Sequence, residues 1–393
     1  MRLYRKIMAG LASAATAFAL AATVAGPGHG APAADPAALA RLGEQLFHDT
    51  NLSRNRTQAC ATCHMPDLGL ADGREVEGTG RAVSLGDDGT SIGTRNAPTA
   101  GYALLSPAFA LTAAGAYVGG QFLDGRAATL EDQAAGPPLN PLEMAMPDKA
   151  AVVARLRENK DYVAAFGALF GKTVLDDAET GYAAMTGAIA AFERTPAFAP
   201  FDSKYDRFLR GEAVLTPEEE LGRVLFFSSQ FTNCSQCHRL KPVGGQEGET
   251  FSNYQFHNIG VPANPALDAA QGKPVADQGL AANDAVTDKA AAAGRFKVPT
   301  LRNVAVTGPY MHNGVFKDLR TVILFYNKYN AKAARRQIDP ETGAPWAPPE
   351  VAGNISLKEL ESGPALDDKR INALVAFLKT LTDRRYEALI PAE

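Results

Sequence analysis

Cys60-Ala61-Thr62-Cys63-His64 and Cys234-Ser235-Gln236-Cys237-His238 contain all four cysteines of a 393-residue chain. Both are C-x-x-C-H, the pattern of c-type haem attachment. Two thiols about one helical turn apart can add to the two vinyl groups of one porphyrin, and the adjacent histidine turns its imidazole under the iron. With so few cysteines and histidines, one such pentapeptide arises by chance in roughly one chain in a thousand. Two by chance is negligible. A redox dithiol, or a zinc site made from two C-x-x-C knuckles, are the alternatives. A histidine directly after each second cysteine disfavours both. Two covalent haems c are expected, one on Cys60, Cys63 and His64, the other on Cys234, Cys237 and His238.

Working outward, the segments before the motifs match each other. Leu42-Gly43-Glu44-Gln45-Leu46-Phe47 precedes the first, and Leu221-Gly222-Arg223-Val224-Leu225-Phe226 the second. Each is an L-G-x-x-L-F helical face. The second has a start signal, with Thr216 as N-cap, Pro217 at N1 and Glu219 at N3. An apolar helix closes each half, Ala184 to Phe192 in the first and Leu366 to Leu381, capped by Asp367, in the second. Opening helix, C-x-x-C-H turn and closing helix make up the cytochrome c plan. The expected fold is all-α, two tandem cytochrome c-type domains with long loops, residues 31–200 and 201–393, joined near 197–215. Further helices are expected over about 148–158, 161–170 and 318–329. Strand signals are nearly absent.

At the front, Arg2, Arg5 and Lys6 precede an apolar run from Ile7 to about Ala25, then small residues. Residues 1–30 read as a signal peptide, cleaved between about 25 and 31. An uncleaved anchor is the alternative, but the run is mostly weakly lipophilic Ala, Gly and Thr. The expected location is the periplasm, without stable membrane insertion after cleavage. With 39 basic and 43 acidic side chains the net charge is −4, which excludes a generally basic nucleic-acid binder. Hydrophobic residues at 46% and charged ones at 21% are ordinary globular values and exclude wholesale disorder.

Residues 66–147 form a long Gly-rich excursion that a simple electron carrier does not need. It contains Arg95-Asn96-Ala97-Pro98-Thr99, Asp124-Gly125-Arg126-Ala127-Ala128-Thr129-Leu130-Glu131-Asp132-Gln133 and Asn140-Pro141-Leu142-Glu143-Met144. The second half carries Lys297-Val298-Pro299-Thr300-Leu301-Arg302-Asn303 and Gly308-Pro309-Tyr310-Met311-His312-Asn313-Gly314. In these motifs, which run from about residue 36 to 385, the chain resembles the bacterial di-haem cytochrome c peroxidase superfamily. That superfamily includes MauG-type members, which oxidise a partner protein.

The resemblance implies roles. Glu143 falls where the family has its distal carboxylate, which moves a proton between the peroxide oxygens. Gln133 falls where the family has an amide that orients bound peroxide or water. Family peroxidases cap the first haem with a loop histidine in the resting state, but no histidine lies between His64 and His238 here. The first haem is therefore expected to be open, with Met65, Met144 and Met146 as the only nearby thioethers. For the second haem, the family's axial ligand comes fourteen residues after the histidine of P-Y-x-H, at Tyr326. The peroxidases have Met there and MauG-type members Tyr. Read alone, Tyr326 is an aromatic core residue, and Met311 is a chemically attractive alternative ligand. A phenolate is a hard anionic donor that favours high oxidation states of iron. His312 is read as a contact of the second haem or a satisfied buried histidine. Family members also bind Ca²⁺ near the junction through one Asn side chain and two backbone carbonyls, and the matching positions are Asn96, Thr307 and Pro309.

One departure stands out. The family usually has a Trp relay before D-G-R, and this chain has Phe122-Leu123. Nor does an aromatic directly precede the second motif. The single tryptophan, Trp346, sits in a Pro-rich loop and reads as a packing or docking residue. The expected function is a peroxide-dependent oxidoreductase acting on H₂O₂. Its partner is either a small redox protein (a cytochrome c or cupredoxin) that supplies electrons, or a protein substrate that is oxidised. Tyr326 and the missing loop histidine favour the second version. A non-catalytic di-haem electron carrier is the reading from a different class.

Overall fold

The computed structural model describes residues 35–391 apart from 243, 273 and 275. The expected export signal lies outside the described residues. The first half contains helices α1 (Pro36–Phe47), α2 (Cys60–Cys63), α3 (Leu130–Ala134), α4 (Lys149–Glu158), α5 (Lys160–Phe170) and α6 (Ala178–Glu193). After α7 (Lys204–Leu209) come α8 (Pro217–Phe227), α9 (Cys234–Cys237), α10 (Pro265–Gln271) and α11 (Lys289–Ala292). The series ends with α12 (Leu319–Asn327), α13 (Leu357–Leu360) and α14 (Asp368–Lys379). Among the described residues the only strands are two antiparallel pairs, Ala110–Leu111 with Tyr117–Val118 and Phe256–His257 with Phe296–Lys297. The fold is largely helical. No described helix is long and apolar enough to cross a membrane.

The matched L-G-x-x-L-F faces have a steric purpose. α1 packs on α6, and α8 on α14, each pair so close that the glycine is the crossing point. A Cβ on Gly43 would lie 1.9 Å from the Ala188 carbonyl oxygen, and one on Gly222 1.8 Å from that of Ala373. Both are far inside van der Waals contact, so only a residue without a side chain fits. The Thr216 cap forms as the sequence predicts: its hydroxyl accepts from Glu219 N at 3.2 Å while Glu219 Oε2 accepts from Thr216 N at 2.7 Å. Asp367 likewise caps α14 through Arg370 N. The segment expected as a plain join contains α7, which starts with a box between Ser203 and Asp206.

Each helix pair closes its own apolar core. The first gathers Leu46, Phe47, Phe166, Met185 and Ile189, with Met144 and Met146 inside it. The second gathers Tyr205, Phe226, Phe251, Leu374 and Phe377. Polar side chains tie the two together in one unit. Tyr102 Oη donates to Asp383 Oδ1 at 2.5 Å, and Asn303 Nδ2 to Asp383 Oδ2 at 2.8 Å. Arg302, fully buried, makes a two-pronged pair with Asp206 at 2.5 and 2.9 Å. Tyr386 Oη reaches back to the Pro66 carbonyl at 2.8 Å, beside the first C-x-x-C-H turn.

Candidate haem sites

Both motifs fold into one helical turn that returns the chain at the histidine, with His64 N donating to Cys60 O and His238 N to Cys234 O, each at 2.9 Å. The imidazoles are then fixed in the same way. His64 Nδ1 faces the Leu70 carbonyl at 3.2 Å and His238 Nδ1 the Phe251 carbonyl at 3.0 Å. A carbonyl only accepts, so Nδ1 carries the proton and the Nε2 lone pair is left for a ligand role. In both halves the residue that offers this carbonyl is left-handed, Leu70 at φ 57° and Phe251 at φ 56°. Such a conformation is costly for a side chain with a Cβ, and its recurrence marks it as part of the device.

Burial lowers both histidines, His238 to about 4, which keeps the rings neutral and able to bind a metal. Burial also raises all four thiols, Cys63 to about 11 and Cys237 to about 12. Unactivated thiols do not suit a redox dithiol, and no described group of three or more His, Cys, Asp or Glu side chains is arranged to hold a metal ion. The four cysteines are unpaired. What accompanies the second motif is a cavity of about 350 Å³ lined by Cys234, Cys237, His238, Met311 and Tyr326. His257 also lines it, and its buried Nε2 has no hydrogen-bond partner. A large apolar slot with a free imidazole nitrogen at one face and an orphaned polar atom in its wall fits a haem.

Around the first motif carboxyls stand with one arginine, Arg74, which donates to Cys63 Sγ at 3.1 Å and pairs with Asp72 at 2.6 Å. Glu143 lies close enough to Cys60 and Cys63 to act electrostatically on both. Its Oε1 accepts from Asn140 Nδ2 at 2.8 Å. Burial raises its pKa, and the Arg126 guanidinium opposes that. Arg126 lies 3.6 Å over the ring of Phe122 and also pairs with Asp124. Gln133 sits near the end of α3, half-buried. Met144 and Met146 are core side chains, packed with the helices.

Tyr326 and Met311, the two candidate ligands for the second site, face the same cavity. Tyr326 is the one with Cys237 and Cys234 as electrostatic neighbours, and burial is the main reason its phenol is raised well above the usual range. Asn96, Thr307 and Pro309 also line that cavity. The Asn96 amide nitrogen donates to the Arg81 and Ala82 carbonyls at 3.3 and 3.2 Å, which leaves its oxygen for a cation. Phe122 and Leu123 form the wall toward the first half. His312 is a satisfied buried histidine: Nε2 meets Glu350 Oε2 at 2.9 Å and the ring stacks on Phe296 at 3.8 Å. Trp346 is half-buried against Phe316 and Phe325, its Nε1 donating to the Arg336 carbonyl at 2.9 Å. It is a packing residue.

Three polar residues of these sites were not legible in the sequence: His257, Lys297 and Glu193. Lys297 is half-buried, its ammonium donating to the Gly120 carbonyl, and desolvation lowers it to about 8. Only packing reveals them.

A family model for di-haem cytochrome c peroxidase matches residues 37–214. The methylamine utilization protein MauG of Paracoccus denitrificans is 58% identical over 355 residues, 90% of each chain. The cytochrome c peroxidase Ccp of Escherichia coli is 35% identical over 291 residues, 73% of this chain and 52% of that protein. Among solved structures, the diheme peroxidase BthA of Burkholderia thailandensis superposes with a TM-score of 0.80 at 34% identity, covering 91% of this chain and 89% of that one.

Proposed function

The chain belongs to the di-haem cytochrome c peroxidase family, and we propose that it works in the periplasm as its MauG-like form, with peroxide reacting at the first site. The enzyme is a di-haem oxidoreductase of MauG and peroxidase type. Haem, bound covalently at each C-x-x-C-H, supplies the iron for peroxide reduction and for holding oxidising equivalents. His64 and His238 present Nε2 to that iron. Glu143, with Oε1 held by Asn140, keeps Oε2 for the proton. Oε2 is thus the atom that would hold and move the proton passing between the two oxygens of peroxide. Gln133 orients the peroxide through its amide. Tyr326 would hold the second iron through its phenol oxygen, and a ferric ion there would favour the phenolate against the burial that otherwise keeps the phenol protonated. Asn96, with the carbonyls of Thr307 and Pro309, would hold Ca²⁺ at the wall of the second cavity.

The observation that carries the MauG-like form is Tyr326 in the cavity wall beside both cysteines of the second motif. The oxidised protein should show a high-spin first haem and a low-spin His/Tyr second haem, and H₂O₂ should change both together. Tyr326→Phe should retain two haems by mass and lose the paired change. Met311 in the same cavity favours the other reading, an ordinary cytochrome c peroxidase that reduces H₂O₂ to water with electrons from a small redox protein. A His/Met spectrum in the wild-type protein, or an unchanged one in Tyr326→Phe, selects it.

A further inference from the structure

Glu193 is the last residue of α6, one position before its C-cap Arg194, and only 7% of its surface is exposed. Its Oε2 is buried without a hydrogen-bond partner. A carboxylate there is disfavoured twice, by desolvation and by the negative end of the helix dipole. The neighbouring cation does not rescue it, because Arg194 is committed to both oxygens of Glu131 at 2.6 and 2.9 Å. The other charged groups on the elements packed against α6 are engaged or distant. On α1, His48 Nδ1 meets the Glu44 carbonyl at 2.9 Å, and Arg41 pairs with Asp35. On α3, Asp132 is held by Thr129. On α4, Lys149 pairs with Glu179, Arg157 with Asp176, and Arg155 binds the Arg54 carbonyl. Only Arg194 and Glu131 act on Glu193 appreciably, with opposite signs. Burial dominates and raises the carboxyl to about 8. The charge nevertheless reaches one chemically important place: Glu193 and Glu143 both act on Cys60, Glu193 more strongly.

We propose that Glu193 is a positioning residue of the first haem site, a neutral acid beside the Cys60 attachment that exchanges one proton as that haem changes oxidation state. The proposal rests on haem attachment at Cys60, Cys63 and His64. When one electron from a reductant converts the ferric iron to ferrous, one proton from solvent converts the carboxylate to the acid. Oxidation releases both. The coupling is electrostatic. An added electron and a carboxylate charge repel across a buried, weakly screened gap, so the reduced site holds the proton more tightly. Reduction of H₂O₂ to two waters takes up two electrons and two protons, and Glu193 is a buried store for one of those protons.

The test is a spectroelectrochemical titration of the intact di-haem protein from about pH 6 to pH 10. In the wild type the first-haem potential should fall as pH rises through the window around 8, with a slope approaching one proton per electron. In Glu193→Gln, with both haems present by mass, that slope should vanish while the second haem titrates unchanged. An equal slope in the two proteins overturns the proposal. Absence of haem from Cys60 and Cys63 in the wild type is a failure of the functional reading instead, and mass spectrometry separates the two. If Glu193→Gln does not assemble, reduced-minus-oxidised infrared spectra of Glu143→Gln decide, since Glu143 is then removed as a source. A protonated-carboxyl band gained on reduction and shifted in D₂O upholds Glu193; no such band overturns it.

Discussion

The two halves share a scaffold down to the crossing glycine and the left-handed residue behind each imidazole, yet their surroundings differ. Cys60 has Glu193 and Glu143 as charged neighbours and Cys63 has Arg74, Asp72 and Glu143, whereas the second motif opens on an apolar cavity with Tyr326 and Met311 in its wall. Carboxyls move protons and a cavity wall supplies an axial ligand. The contrast teaches that the helix pair and the C-x-x-C-H turn form the common frame, while the residues between motif and closing helix, with the end of α6, set what surrounds it.

That contrast can be broken in several places. The Arg302–Asp206 pair of the second core is fully buried, whereas the Arg56–Glu158 pair of the first half is exposed. Asp206→Ala should cost about 3–5 kcal/mol by leaving Arg302 charged, buried and unpaired. Removing Glu158 from the exposed Arg56 pair of the first half should cost about 0–1 kcal/mol. Denaturant melts of the two variants compare them directly, and equal losses would dissolve the distinction.

Next in size, Glu143→Gln should slow the peroxide step on the order of 100-fold with haem content intact. Because burial raises Glu143 and the carboxylate is the working form, the wild-type rate should fall as pH drops through a value above the usual glutamate range. The variant should lack that limb in a stopped-flow pH profile. The same scaffold in both halves predicts matched effects from the crossing glycines. Gly43→Ala and Gly222→Ala should each destabilise by about 1–3 kcal/mol through overpacking. A neutral outcome in either half would mean that its helix pair can slide apart. Smallest, Thr216→Ala should cost about 1 kcal/mol by removing the cap of α8, a loss visible as a lower melting temperature.

Much of this plan was readable in advance. Helix periodicity, the cap at Thr216 and the repeated L-G-x-x-L-F face are local patterns, and α1, α6, α8 and α14 form where they point. Glu143 and Tyr326 were reachable only through the motifs around them, since a loop carboxylate and an aromatic at helical spacing are unremarkable alone. α7 was missed because Ser203-Lys204-Tyr205-Asp206 is too short to show a period.

The sequence by itself determined that two C-x-x-C-H turns exist, which histidine follows each, and that helices flank them. Those are matters of spacing along one chain, and spacing is what covalent attachment requires. Tertiary structure alone decided that Gly43 and Gly222 lie under another helix's carbonyl, that Tyr326 and Met311 share one cavity, and that Glu193 is stranded beside Cys60 with its neighbouring arginine turned away. The reason is that burial, and the pKa and ligand competence that follow from it, depend on what packs against a residue from distant parts of the chain, which no local pattern encodes.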